Sequence, residues 1–545
     1  MKRLFFVLFS ACLSLALFAQ EDNLSKAKQA YENGNYIETI SLATAHLKKQ
    51  SKDVDALMLR SKAYAKQEEY KLALADATKA IQVWNKDSKV EEYEVYLCRV
   101  YLYVELDERE KAINDLNTMV SKDKNNPIVY EQRALVYSYL TDYANAETDY
   151  RKAAELAPDS SKYQIEIARM LLQQEKYTEG EQLLREITKY EPNLQEAQRL
   201  LALSYFYQDR NKEFIERYFV YLEISKKFNF DVLRYVVEQE YPLLVRTTSQ
   251  KITLAKDNGD KYFWLYLRAD IYIWKEQYQD AIADLNALQG IMGDRYNPYV
   301  TEKLAHCYDE SYDYLSAIAS YTKLIQNSSS DNDKLASYFY SRGICYLNTL
   351  SLERAMSDFG ETIQRNAYLA PYAYYSRAYC HEVNKNYDEA LEDYNRSILF
   401  NDNIASVYCW RGRLLKFHKN DTAQANKDFQ RVLELDTIPT EGSRRQFALC
   451  YLGRTQEAEQ WQNQILEADP SADNYYDAAC FYSRMNNTKK AVQYLQKAVD
   501  LGYKDFALME TDEDLDNIRQ TPEYLSIVES HRKGKINQFN SLFKK

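Results

Sequence analysis

Small residues stand twelve positions apart in this chain, with bulky residues between and after them, and the pattern returns about every 34 residues. One unit reads Ala134, Tyr137, Tyr143, Ala146, Tyr150, Ala153 and Pro158. The same offsets return in Ala269, Tyr272, Tyr278, Ala281, Leu285 and Leu288, and again in Ala305, Tyr308, Tyr314, Ala317, Tyr321 and Leu324. They recur in Ala378, His381, Tyr387, Ala390 and Tyr394, and in Ser61, Tyr64, Tyr70, Ala73, Ala77 and Ala80. Spacings of three and four place side chains on one helix face. The small pair lets two antiparallel helices approach closely while the bulky residues fill the seam. Each unit therefore predicts a helical hairpin closed by a short polar link such as Thr141-Asp142 or Asn384-Lys385-Asn386. A hairpin cannot bury its apolar face alone, so a period of this length implies a stacked array.

The second small position can be followed through Thr39, Ala73, Ala112, Ala146, Gly180, Ala281, Ala317, Ala355, Ala390, Ala425, Ala458 and Ala491. The step from 180 to 281 is three periods, so two degenerate repeats fill it and the total is about fourteen 34-residue hairpins. Composition agrees. Only 12 glycines and 9 prolines occur in 545 residues, too few for a turn-rich β fold or a nucleotide-binding α/β fold. The expected fold class is all-α, an α-α superhelical solenoid. These residues resemble the tetratricopeptide repeat, and the resemblance covers nearly all of the chain after residue 23. It implies one block over 20–228 and a second over 262–503. Between them, 229–261 is a degenerate repeat or hinge, with Glu240-Tyr241-Pro242 and Asn258-Gly259-Asp260 outside the pattern. Residues 477–483, 501–505 and 512–519 resemble the terminal element of bacterial tetratricopeptide proteins, so 504–545 is expected to supply capping helices and a tail. Asp512 and Asp514 read as part of a surface acidic run.

Residues 1–19 have the pattern of a signal peptide. Lys2-Arg3 precede an uncharged apolar run from Leu4 to Phe18, with Leu17 and Ala19 as the cleavage pair. The competing readings are an uncleaved anchor and a lipid anchor on Cys12, from the weak box Phe9-Ser10-Ala11-Cys12. The expected location is exported, periplasmic or outer-membrane-associated. The formal charge of −11 supplies no basic field for phosphate, which argues against nucleic acid as a partner. Beyond Cys12, the seven cysteines at 98, 307, 345, 380, 409, 450 and 480 form neither a disulfide framework nor a metal motif. They read as small core residues.

The most regular charged motif pairs an arginine with an aspartate sixteen residues later. It occurs at Arg60/Asp76, Arg99/Asp115, Arg133/Asp149, Arg268/Asp284, Arg342/Asp358 and Arg377/Asp393, and with one inserted residue at Arg411/Asp428. A planar guanidinium suits a fixed ion pair, and repetition favours a hairpin brace over seven anion sites. No nucleophile elbow, zinc-protease helix, phosphate loop or dinucleotide loop is present, so no enzyme activity, cofactor, metal or small-molecule substrate is expected.

The resemblance implies that first helices line a concave groove that receives protein or peptide segments. The candidates for it are Phe263, Tyr266, Asp270, Trp274, Tyr299, Tyr340, Tyr372, Tyr375, Tyr379, Glu382 and Arg413. Aromatic anchors with rim charges are what hot-spot surfaces use. The expected function is a non-catalytic scaffold of the bacterial cell envelope. The alternative is an outer-membrane-associated subunit of a secretion or surface-assembly complex.

Overall fold

The computed structural model describes residues 23–529 except 89, 294, 329–331, 440–441 and 504. The leader-like segment 1–19 with Cys12, and the tail from residue 530, lie outside the described residues. All regular elements among the described residues are helices, and they follow one another as antiparallel hairpins. The chain divides into two compact units between Asn229 and Phe230.

The first unit is a stack of six hairpins, from Asn23–Glu32 with Tyr36–Lys49 to Gln195–Phe206 with Asn211–Ser225. The second begins with the short helix Asp231–Arg234 and the helix Val237–Thr253. The latter is kinked at Glu240 (φ −120°, ψ 20°), two residues before Pro242. Proline cannot donate its backbone bond and crowds the preceding turn, which accounts for the kink. Seven regular hairpins follow, from Asn258–Trp274 with Tyr278–Met292 to Ala472–Arg484 with Thr488–Asp500. Six and seven regular hairpins plus the irregular pair make fourteen.

The small positions do what the spacing requires. Ala134, Ala146, Ala269, Ala281, Ala378 and Ala390 have no exposure, and the Ser61 hydroxyl donates to the Ala73 carbonyl at 2.8 Å across its hairpin. Where phenylalanine follows the brace aspartate, at Phe359 and Phe429, the facing small residue is glycine. A Cβ on Gly343 or Gly412 would lie 2.7 Å from the ring.

All seven arginine–aspartate pairs form as two-pronged bonds. Nε and Nη2 of Arg133, for example, donate to Asp149 at 2.6 Å each. The third nitrogen reaches back to the preceding helix: Arg60 to Thr44, Arg133 to Asn117, Arg268 to Ser249, Arg342 to Thr322 and Arg411 to Asn395. Each of these five arginines thus ties three helices together. The cysteines are free thiols, and Cys307, Cys345 and Cys380 are fully buried, as expected of core residues.

After the last hairpin the chain does not simply end in a helix with a polar outer face. Phe506–Thr511, the turn Glu513–Leu515 and a helix over 522–529 fold against the second unit, with Met509, Leu515 and Ile518 fully buried. This corrects the surface reading of Asp512 and Asp514, which are 8% and 7% exposed.

Candidate functional site

The residue two places after each brace arginine marks the inward face of the first helices. In the second unit these are Asp270, Ile344, Tyr379 and Arg413. Asp270 is paired with Lys303 elsewhere, whereas the last three line one cavity of about 490 Å³. Its walls come from five successive first helices and from the C-terminal segment. Tyr340, Tyr375, Trp410, Phe447 and Tyr476 supply rings from the hairpins, while Tyr503, Leu508, Thr511, Asp512 and Asp514 close it from the C-terminal side.

That segment is held by specific contacts at both ends. The Tyr314 hydroxyl donates to Asp505 at 3.3 Å, joining residues 191 apart in sequence. Tyr503 stacks on Tyr476 with ring centres 4.3 Å apart and 7° between planes. The Asn517 amide donates to the Ser483 carbonyl at 2.8 Å, and Arg484 pairs with Asp514. Asp505 and Asp512 accept from the backbone nitrogens of Leu508 and Asp514, so each starts a helical turn.

The charges around the cavity form a network. Arg444 pairs with Asp477 at 2.6 Å, and Arg413 lies over the Trp410 ring at 4.1 Å. Arg413 pairs with Glu382 and approaches Asp514 at 3.5 Å. Asp512 is bonded instead to neutral donors, the Tyr476 hydroxyl at 3.0 Å and the Cys480 thiol at 3.5 Å. Burial, reinforced by Asp514, pushes its carboxyl up to about 6. Burial and the charge of Asp512 hold the Tyr379 and Tyr476 hydroxyls well above their ordinary range.

The sequence-derived candidates fall into two groups. Tyr340, Tyr375, Tyr379 and Arg413 line the cavity, and Glu382 lies on a smaller one of about 220 Å³ that shares Tyr379, Arg413 and Asp512. Glu382 and Arg413 are a buried ion pair, 2% and 4% exposed, rather than open rim charges. Tyr372 is exposed and does not join Tyr375 and Tyr379 on the cavity wall. The other group surrounds Asn258–Trp274. Phe263 is a core residue packed edge-to-face on Trp264 and Phe230, which removes it from any open groove. Asp270 is buried against Lys303, whose ammonium also lies over the Tyr266 ring. Trp274 is half-buried, and Tyr299 is exposed.

Trp410, Arg444, Tyr476, Tyr503, Asp512 and Asp514 were not singled out from sequence. The repeat register marks the inward position of Arg413, but nothing periodic marks 503–514. Glu382, His418 and Glu513 bring three possible metal donors within 4.8 Å of one another. Both Glu382 oxygens are already engaged, by Arg413 and by the Tyr394 hydroxyl, and the adjacent guanidinium opposes a metal ion. The cluster reads as an ion-pair network.

A stack of two-helix units braced and packed in this way is an α-solenoid. Sequence models described as tetratricopeptide repeat match residues 132–193 and 340–403, and a further one matches 472–501, in phase with the hairpins of both units. The chain contains tetratricopeptide repeats in both units. Among curated proteins it is 29% identical over 149 residues to human sperm-associated antigen 1, covering 26% of this chain and 15% of that one. It is 26% identical over 90 residues to a chloroplastic protein of Arabidopsis thaliana, covering 16% of this chain and 27% of that one. The chain thus spans well under a third of either relative. Among solved structures, a tetratricopeptide repeat protein from Parabacteroides merdae is 18% identical, with a TM-score of 0.32, over 53% of this chain and 98% of that one. The C-terminal part of a repeat protein from Cytophaga hutchinsonii is 15% identical, with a TM-score of 0.33, over 52% and 99%.

Proposed function

We propose that the protein is a non-catalytic scaffold of the cell envelope that binds segments of other proteins along the first helices of its first unit. The observation that carries this reading is one of register. The position two after the brace arginine, which faces the cavity at Ile344, Tyr379 and Arg413 in the second unit, is Lys62, Tyr101 and Leu135 in the first. All three are exposed, the last two at 49% and 41%. Tyr139, four residues on, is 70% exposed. The two helices are adjacent, since the Tyr101 hydroxyl donates to the Gln132 side chain at 3.3 Å. Neighbouring exposed aromatic and aliphatic side chains on one face form a patch of the kind partner segments cover. The groove expected at Tyr375 and Tyr379 is partly filled by the chain's own C-terminal segment, which favours the first unit as the partner face.

The test is affinity capture from envelope extract with mass spectrometry, comparing wild type with Tyr101→Ser, Leu135→Ser, Tyr139→Ser combined. The triple variant should lose the captured partner while keeping its far-ultraviolet circular dichroism. An unchanged partner set from a folded variant would reject the face. The leader pattern supports export, and the mature N-terminus distinguishes its forms: cleavage before Gln20 for a soluble protein, acylated Cys12 for an outer-membrane-associated assembly subunit.

A further inference from the structure

The cavity of the second unit has more built into it than packing requires. Its volume of about 490 Å³ falls in the range of about 300–1,000 Å³ that small-molecule sites occupy. The hollow is partly open, and its rings grade from half-buried at Tyr340, Tyr375, Tyr379 and Trp410 to buried at Phe447, Tyr476 and Tyr503. The charges around it do not balance. The guanidiniums of Arg413, Arg444 and Arg484 are engaged with Glu382, Asp477 and Asp514. The Asp512 carboxylate makes no ion pair among the described residues: its bonded partners are a phenol, a thiol and a backbone amide, and the Arg519 guanidinium reaches only the Asp512 backbone carbonyl, at 2.7 Å. It lines both cavities and is surrounded by tyrosines. Tyr379, Tyr476 and Tyr503 line the same cavity, and each hydroxyl is held up by burial first, then by the charge of Asp512 at Tyr379 and Tyr476 and by Asp505 ahead of Asp512 at Tyr503.

We infer that this cavity binds a small organic ammonium ion, with Asp512 as its counter-ion and the rings of Tyr379, Tyr476 and Tyr503 around it. A buried carboxylate without a cation is costly, and a bound ammonium offsets that cost. Aromatic faces attract the same group through their negative quadrupole, and this attraction strengthens where water is excluded. The aliphatic walls of Ile344, Leu347, Val383 and Leu508 suit a ligand whose remainder is apolar. Arg413 and Arg444 also line the cavity, but each is held by a carboxylate, Glu382 and Asp477. The charge left over is that of Asp512, which a carboxylate or phosphate ligand would oppose.

Acid should weaken the site, because Asp512 must be charged to serve it. The groups that face Asp512 are Glu513 and Asp514 on its own turn, Tyr379, Glu382, Arg413, Tyr476 and Cys480 from three first helices, Lys385 from the link after the first of these, and Tyr503, Arg519 and Tyr524 from the C-terminal segment. Of these, the phenols and the thiol are pushed above their ordinary values, so the carboxyl of Asp512, at about 6, is the group that changes charge in the working range.

The experiment is calorimetric titration of the full-length protein with 2-phenylethylamine and with 2-phenylethanol, which replaces the ammonium by a hydroxyl. The amine should bind about tenfold or more tightly than the alcohol at neutral pH, and lose that margin as the pH falls from about 7.5 to 5.5. Asp512→Asn, which keeps an acceptor for Tyr476, should bring the amine down to the affinity of the alcohol. Tyr379→Leu should weaken the amine several-fold, and it keeps the test alive if the asparagine variant fails to fold. Equal affinity of amine and alcohol, an amine affinity independent of pH, or undiminished binding by folded Asp512→Asn would overturn the assignment.

Discussion

At the scale of the residue, the hairpin turns show how this chain manages with so little glycine. Each of the thirteen regular hairpins closes through one residue in the left-handed region. It is glycine only at Gly34 and Gly453. Elsewhere the position is filled by Glu68, Asp107, Thr141, Glu175, Asp209, Glu276, Tyr312, Leu350, Lys385, Asn420 and Asn486. A side chain there costs about 1–2 kcal/mol, most for a branched one. Thr141, at φ 61°, is the branched case, so Thr141→Gly should stabilise its hairpin by about 1 kcal/mol, less the greater freedom glycine gains in the unfolded chain. Slower amide exchange across Pro127–Tyr139 and Tyr143–Leu156 would report it. The brace gives the opposite sign. Asp149 is 3% exposed, so Arg133→Ala leaves a buried carboxylate unpaired and should cost about 3 kcal/mol in the same exchange measurement. These pairs were legible in the sequence because they repeat at fixed spacing. The left-handed turn residues were not, because backbone strain leaves no compositional mark when glycine is not used.

At the scale of the element, the C-terminal segment is where sequence and structure part. The hairpins were legible because every one buries the same offsets. Residues 503–529 occur once, and their acidic run 510–516 looks solvated when read alone. What overrides the run is partnership: Arg484 takes Asp514, Tyr476 and Cys480 take Asp512, and the Arg519 guanidinium donates to the Asp512 and Met509 carbonyls at 2.7 and 3.0 Å. The folded pKa of Asp512, about 6, lies above its ordinary value of 3.8. Its proton therefore stabilises the docked segment fully below about pH 4, and that contribution is lost as the pH rises through about 6. Asp309, pushed up to about 6 by burial, has the same sign. The ligand-free second unit should accordingly resist thermal unfolding better at about pH 5 than at pH 7, and Asp512→Asn should flatten part of that difference.

At the scale of the whole molecule, the two units are joined through a stretch without helix, 226–230, where Lys227, Phe228 and Asn229 are exposed. Tryptic digestion under native conditions should cut first after Lys227 and leave two fragments that persist. A first cut inside a hairpin would contradict the division. The candidate residues divide in a related way. All were drawn from first helices beside the packing seam. Tyr340, Tyr375, Tyr379 and Arg413, each two residues from a brace arginine, converge on one cavity. Tyr266 and Asp270 hold the same offsets at Arg268 and do not reach it, and Phe263 is core.

The bond from Tyr314 to Asp505 carries a consequence for descent. An open array can gain or lose a repeat by duplication or deletion and still stack. Here the terminal segment must return to a particular earlier hairpin, so adding or removing one repeat between them would carry Asp505 past its partner and unroof the cavity. The number of repeats after Tyr314 is therefore fixed, while the first unit is free to lengthen.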